Sequence, residues 1–307
     1  MKTYLITGGA GFIGHTLSNR LVREGHRVIA VDNGRSGDWS RVDDRIERDV
    51  RGIQDLSSEE WEQRLAGVDV LFHLAAEKYN SSNSTPERVL EVNVIATDRL
   101  FRAAAGRVGK VVFTSSLYAH GSMGPESMRE SDRAAPITHY GVSKLTGEHL
   151  LPAIALKTPL NWTVARLMFI YGPRQFAGGG YKSVIMSNFE RIANGEAPTI
   201  YGDGLQSLDY VYVDDCIDAL LRMAEHDLDG QTFNIASGIA TNIVELTDLM
   251  RSTAVGALEP TYAPADWTHD SRRVGDPALL ASASGWQVST PISEGLAKTW
   301  RWMEDNE

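Results

Sequence analysis

Cysteine is nearly absent. Cys216 is the one thiol in 307 residues, so no disulfide forms within the chain and a zinc site has no second sulfur to use. No metal site is expected, and the composition suits a reducing compartment, so the expected location is the cytoplasm. Long apolar runs are missing too: nothing approaches the roughly 18 residues of a membrane helix. The opening MKTYLITGGAGFIG is interrupted by glycines, with no signal-type cleavage site after it. Basic clusters are the third deficit. With 30 Lys and Arg against 40 Asp and Glu the net charge is −10, which leaves no cationic track for a polyphosphate backbone, and neither nucleic acid nor membrane is an expected partner. The remainder, 42% hydrophobic and 23% charged, is ordinary globular usage, long enough for one large domain or two.

Short apolar segments recur at 2–7, 27–31, 68–74, 110–114 and 162–166, and each reads as a strand. The first is followed by a glycine turn and a helix whose stripe carries Ile13, Leu17, Leu21 and Val22, with Gly25 as its stop. Further helical patterns occupy 86–105 and 138–156. Strands alternating with helices predict an α/β fold with a doubly wound parallel sheet, because parallel neighbours need a crossover packed on the sheet face. After residue 172 the clusters GPRQFAGGGYK, NGEAP and YGDG break the chain into shorter elements, so 173–307 reads as a second, smaller lobe. A strand at 208–213 and a helix at 214–223 are expected to interleave with the first domain, 1–172.

Gly9, Gly11 and Gly14 make a GxGxxG match between a strand and a helix, the context in which backbone N–H groups and a positive dipole end meet a pyrophosphate. Asp32 ends the second strand, 18 residues beyond Gly14, where a carboxylate accepts from both adenosine ribose hydroxyls and repels a 2′-phosphate. This favours NAD over NADP; Arg35 is the residue that would favour the phosphate. The competing reading of the glycines is a tight turn without a ligand.

Tyr140 and Lys144 lie one turn apart on a helix face. A phenol is a poor base at neutral pH, and a nearby ammonium favours the phenolate, so Tyr140 can exchange a proton with a substrate hydroxyl. An exposed i,i+4 pair is the plain alternative. Thr114, Ser115 and Ser116 follow the fourth strand at the sheet edge where such folds bind ligands, and a hydroxyl there can hold the reacting oxygen.

TGGAGFIG (7–14), VDN (31–33), RDV (48–50), FHLAA (72–76), EVNV (91–94), FTSS (113–116), YGVSK (140–144), IYGPRQ (170–175), IYGDGLQSLDYVYVDD (200–215) and FNIASG (233–238) appear in order over nearly the whole chain. Together they resemble the extended short-chain dehydrogenase/reductase family, in its branch of NAD-dependent nucleotide-sugar epimerases and dehydratases. The resemblance implies a Rossmann domain, a substrate-binding lobe and bound NAD. It implies cofactor contacts from Gly8, Gly11, Phe12, Ile13, Gly14, Asp32, Asn33, Leu74, Ala75, Ala76 and Asn93, with Asp49 and Val50 near the adenine. Lys78, Tyr140 and Lys144 would surround the nicotinamide ribose. Ser116 and Tyr140 would hold the sugar hydroxyl being oxidised, with Tyr140 as acid/base and Lys144 lowering its pKa. A homodimer through the helices at 86–105 and 138–156 is implied as well.

Dehydratases of that family carry an Asp-Glu pair where this chain has Leu117 and Tyr118, and its sugar-acid decarboxylases keep a Glu at the place of Tyr118. Epimerisation of a nucleotide sugar at C4, which needs only Ser116, Tyr140 and Lys144, is therefore the expected activity. Two substrate positions depart from the family: Phe169 stands near a usual Asn, and Leu208 stands where an Arg commonly binds the diphosphate. Lys182, Arg272 and Arg273, together with Arg174, are the cations available to replace it. The rival readings are net redox on a different small or carrier-bound substrate and a non-catalytic NAD-binding regulator.

Four further features complete the reading. The stretch 178–183 is either a mobile substrate loop or an ordinary glycine-rich surface loop. His73 is expected to pack against the cofactor segment rather than move protons, and His120 is a candidate to face the site. The seven Trp read as core and lobe packing. Asp214, Asp215 and Asp218 read as helix-start carboxylates rather than metal ligands.

Overall fold

A computed structural model describes residues 1–306 except 122, 123, 125, 176–181, 255 and 267–269. Its centre is a seven-stranded sheet built from β1 (Thr3–Thr7), β2 (Arg27–Val31), β3 (Glu47–Asp49), β4 (Val70–His73), β5 (Lys110–Ser116), β6 (Trp162–Leu167) and a last strand, Gln231–Ile235. All pairings are parallel, in the order β3, β2, β1, β4, β5, β6, Gln231–Ile235. The order reverses between β1 and β4, as in a doubly wound Rossmann sheet.

Successive strand residues point to opposite faces, and the core divides accordingly. Tyr4, Ile6, Val28, Ala30, Phe72 and Val112 pack on one face, while Leu5, Ile29, Val31, Leu71, Val111 and Phe113 pack on the other. Both faces are dry, which is why these strands read as continuous apolar runs. The first face continues beyond residue 172 through Ile185, Phe189, Leu208 and Leu246.

The predicted helix at 86–105 is three consecutive pieces: Pro86–Leu90, a π-helical stretch Glu91–Ala96, and Thr97–Ala104. The one at 138–156 is a single helix, His139–Ala155, capped by the Thr138 hydroxyl on Gly141 N. Strand Gln231–Ile235 lies in the stretch that the composition change assigns to the second lobe, yet it pairs with β6 and returns the chain to the main sheet. The helix Val213–Glu225 packs on the sheet beside the helix Phe12–Arg23. The expected strand at 208–213 is two, Ser207–Leu208 and Tyr210–Tyr212. Asp209 separates them: its buried carboxylate accepts from Ser237 N, Ser237 Oγ, Gly238 N and Gly275 N, stitching three chain segments together. Among the described residues no helix is long and apolar enough to cross a membrane.

Candidate active site

The turn after β1 is built around two glycines. Gly8 has φ +72°, and a Cβ there would lie 2.8 Å from Ala75 N; a Cβ on Gly14 would lie 1.9 Å from Gly8 O. The helix Phe12–Arg23 therefore begins directly against the strand end. Gly11 provides no side-chain cap and the first turn holds no acidic residue, so N–H groups and the positive dipole end are presented to the space in front of them. That space is a cleft of about 440 Å³ at the C-terminal ends of the strands, where the strand order reverses.

At the end of β2 the Asp32 carboxylate accepts from Ala10 N at 3.1 Å and Gly34 N at 2.8 Å. Burial raises its pKa, and these bonds with the charge of Lys78 work against that rise. Arg35 turns toward Glu77 across the mouth of the cleft, Nη1 to Oε1 3.3 Å, and Glu77 is also paired with Arg88. A glycine cradle, an uncapped helix start and a carboxylate at the end of β2 suit the pyrophosphate and ribose of a dinucleotide.

At the other end of the cleft Ser116, Tyr140 and Lys144 converge. Lys144 is buried, donates from Nζ to Thr114 O at 2.8 Å, and lies 5.8 Å from the Tyr140 ring centroid. Burial lowers its pKa to about 7, and the neighbouring Glu148 carboxylate opposes the shift. Burial also pushes the Tyr140 phenol up to about 12, against a hydrogen bond with the Ser116 side chain. Desolvation thus sets the direction of the phenol's shift, upward rather than the lowering expected from Lys144. Tyr79 and Tyr118 stack at 4.5 Å beside Tyr140, which meets the Tyr118 ring edge-on at 6.0 Å.

Gly8, Gly11, Phe12, Ile13, Gly14, Asp32, Asn33, Leu74, Ala75, Ala76, Lys78, Ser116, Tyr140 and Lys144 all line the cleft. Seven expected site residues stand elsewhere. Asp49 is buried and paired with Arg51 and Arg64, and Val50 is exposed. Gly52, Ile53 and Gln54 line the cleft on that side. Asn93 is buried behind the wall, where it accepts from Glu77 N and donates to Glu77 O and Ser143 Oγ, fixing the chain just before Lys78. Phe169 packs beside Tyr210, and Lys182 pairs with Glu190. Arg272 reaches toward Ser127, while buried Arg273 sits 6.0 Å from the Tyr118 ring, directly opposite Leu208 in the strand pairing. The 178–183 stretch lies outside the described residues except for its last two.

His73 is fully buried between the hydroxyls of Thr7, at 2.7 Å, and Thr97, at 2.9 Å, and burial lowers its pKa to about 3, so it packs as a neutral ring. His120 is also turned away, 3.3 Å from Arg166 Nη1 and 3.4 Å from Asn234 Oδ1. Asp215 accepts from Ser289 and Thr290, tying the helix start to the chain near the C-terminus. Sequence reasoning gave no site role to Tyr79, Met168 and Gln175, which also line the cleft; Tyr79 and Met168 lie outside every motif, and Gln175 closes IYGPRQ.

Comparison with known proteins places this geometry in a family. Residues 4–236 match the NAD dependent epimerase/dehydratase family. A UDP-glucose 4-epimerase of Mycolicibacterium smegmatis is 33% identical over 97% of both chains. A UDP-N-acetyl-alpha-D-glucosaminuronate decarboxylase of Bacillus cytotoxicus is 29% identical over 100% of this chain and 99% of its own. The crystal structure of a Thermotoga maritima UDP-glucose 4-epimerase with UDP-glucose superposes with a TM-score of 0.93, at 31% identity over 99% of both chains. The chain belongs to the NAD-dependent epimerase/dehydratase family of nucleotide-sugar enzymes.

Proposed function

We propose that this protein interconverts C4 epimers of a nucleotide sugar. The observation that carries the reading concerns carboxylates. The described residues lining the cleft include two, Asp32 and Glu77, and both belong to the dinucleotide end. Asp32 accepts backbone N–H groups and Glu77 is paired with arginines. Beside Ser116 stand Leu117 and Tyr118, so among the described residues the sugar end of the cleft lining offers no acid to drive elimination or to assist loss of a carboxylate. Proton exchange at one hydroxyl is the chemistry that remains.

In this reading Tyr140 takes the C4 hydroxyl proton, Ser116 holds the same oxygen and relays hydrogen bonding to the phenol, and Lys144 orients the ribose and stabilises the phenolate. NAD held by the glycine turn, Asp32, Lys78 and Lys144 would supply a reversible hydride acceptor for the C4 position, so the interconversion would need no external redox partner. Arg273, opposite Leu208 and 6.0 Å from the Tyr118 ring, is the cation proposed to take over the diphosphate contact that Leu208 cannot make. Leu90, Ile95 and Val142 are exposed on the two helices at 86–105 and 139–155 and would be covered in a homodimer, whereas Val89, Val92 and Leu100 already belong to the core. The cytoplasm is the proposed location, in keeping with the single, buried Cys216.

The test is to incubate the purified protein with uridine and thymidine diphosphate sugars while following absorbance at the NADH band. A C4-inverted product without net NADH supports the proposal. Stoichiometric NADH with a converting substrate replaces it with a dehydrogenase.

A further inference from the structure

The helix His139–Ala155 carries more of the site than Tyr140 and Lys144. Glu148 follows Lys144 at the same four-residue spacing, so phenol, ammonium and carboxylate form one inward stripe. Glu148 is buried, as are its partners Arg166 on β6 and Ser115 on β5. Arg166 grips it with two nitrogens, Nε to Oε1 at 2.9 Å and Nη2 to Oε2 at 2.7 Å, and the Ser115 hydroxyl donates to Oε1. Ser115 immediately precedes Ser116. A carboxylate that could have been an apolar side chain is instead held by three hydrogen bonds, at the junction of the helix bearing Tyr140 and Lys144 and the strand bearing Ser116.

We infer that Glu148 is a positioning residue of the reaction: it holds Ser116 in register with Tyr140 through Ser115, and it places a fixed negative charge one helix turn from the buried Lys144. The inference rests on Ser116, Tyr140 and Lys144 carrying the chemistry. Lys144 faces Tyr140 on its own helix, His73 on β4, and the Phe113 ring and Thr114 carbonyl on β5. Of these, none is an anion at neutral pH, since His73 stays neutral and the phenol protonated. Glu148 supplies the negative charge. Around the far side of Arg166 lie His120, Glu130, Asp132 and His149, with the Glu130 carbonyl 3.5 Å from Nη1.

The first test is Glu148→Gln, read by the pH at which Lys144 becomes half-reactive toward trace acetic anhydride in the cofactor-free protein, measured by mass spectrometry of its peptide. This readout needs no substrate, so it stands apart from the identity of the reaction. The expected result is a midpoint lower than that of the unaltered protein by half a pH unit or more. With any substrate that turns over, the alkaline limb of kcat/KM moves the same way and kcat falls by about tenfold or more. Leaving Arg166 unpaired costs stability, so the double variant Glu148→Leu with Arg166→Met, which buries neither charge, is measured in parallel. Glu148→Asp, which keeps the charge, should restore part of the midpoint. A folded single or double variant with the original Lys144 midpoint and an unmoved alkaline limb overturns the inference and leaves Glu148 a structural clamp.

Discussion

Lys144 is a functional cation buried at a cost in stability, and replacing it should stabilise the protein. Its ammonium is buried, and its pKa is lowered from an ordinary 10.5 to about 7, with burial the leading cause and Glu148 the opposing one. The difference, 10.5 − 7 = 3.5, corresponds to roughly 5 kcal/mol at about 1.36 kcal/mol for each unit. Because the folded-state pKa is depressed, the destabilisation is fully present below pH 7 and fades as pH rises toward 10.5. At neutral pH it is on the order of 4 kcal/mol. Lys144→Met keeps the bulk and removes the charge. It forfeits the bond to Thr114 O and the contact with the Phe113 ring, together worth about 1–2 kcal/mol. The cofactor-free variant should therefore resist urea better than the parent by about 2–3 kcal/mol at pH 7, and this advantage should shrink toward pH 10. The same variant should lose turnover. Equal or lower stability at pH 7, with the two proteins running parallel in pH, would refute the reasoning and mean that water or a counter-charge already solvates the ammonium.

Three other perturbations test separate parts of the site. Tyr140→Phe removes the proton acceptor but keeps the ring packed against Tyr118, so activity should fall by about 10²–10⁴-fold while NAD released on denaturation stays at the parental amount; undiminished turnover would remove Tyr140 from the mechanism. Gly14→Ala places a methyl group where Gly8 O lies 1.9 Å away, so the turn must open, with a loss of about 1–3 kcal/mol and of co-purifying NAD; unchanged NAD content would contradict the cradle. Asp32→Ser removes the carboxylate that would repel a 2′-phosphate and leaves Arg35 nearby, and titration calorimetry should find the NAD-to-NADP affinity ratio reduced by about tenfold or more. An unchanged ratio there would assign cofactor choice to other residues.

The main-sheet strands that could be read in the chain are those buried on both faces. Residues 27–31 and 110–114 are apolar throughout or nearly so, and the strands occupy them with shifts of at most two residues. β3 is Glu-Arg-Asp, an edge strand tied to β2 by backbone pairing and the Arg27–Glu47 ion pair, so it carries no apolar period to find. Ser207–Leu208 and Arg272–Arg273 are two residues each, too short for any periodicity, and exist because Asp209 holds the loops around them. At the site, the glycines, Asp32, Ser116, Tyr140 and Lys144 were legible because each has a fixed offset from a strand end or a neighbour on one helix face. Lys182 was not: its distance in the chain from Glu190 gives no sign that a helix turn will bring the two together. Asn93 carried a motif, but not the fact that both ends of its amide would be taken up by Glu77.

The buried Glu148–Arg166 pair shows why charged core residues escape a reading based on hydrophobic pattern, which assigns every Glu and Arg to solvent. The usable signal was the spacing of 140, 144 and 148, which puts a carboxylate on the face that must already be turned inward if Tyr140 and Lys144 act together. The same distinction between local and total charge resolves an apparent conflict in the composition. A chain of net charge −10 is a poor partner for a polyanion, because an extended phosphate backbone samples the whole surface. In the proposed reading a nucleotide would face the helix start at Gly11, with Lys78 and Lys144 lining the same cleft. There free backbone N–H groups and partly desolvated cations act at short range, where attraction is strongest and distant carboxylates are screened by salt.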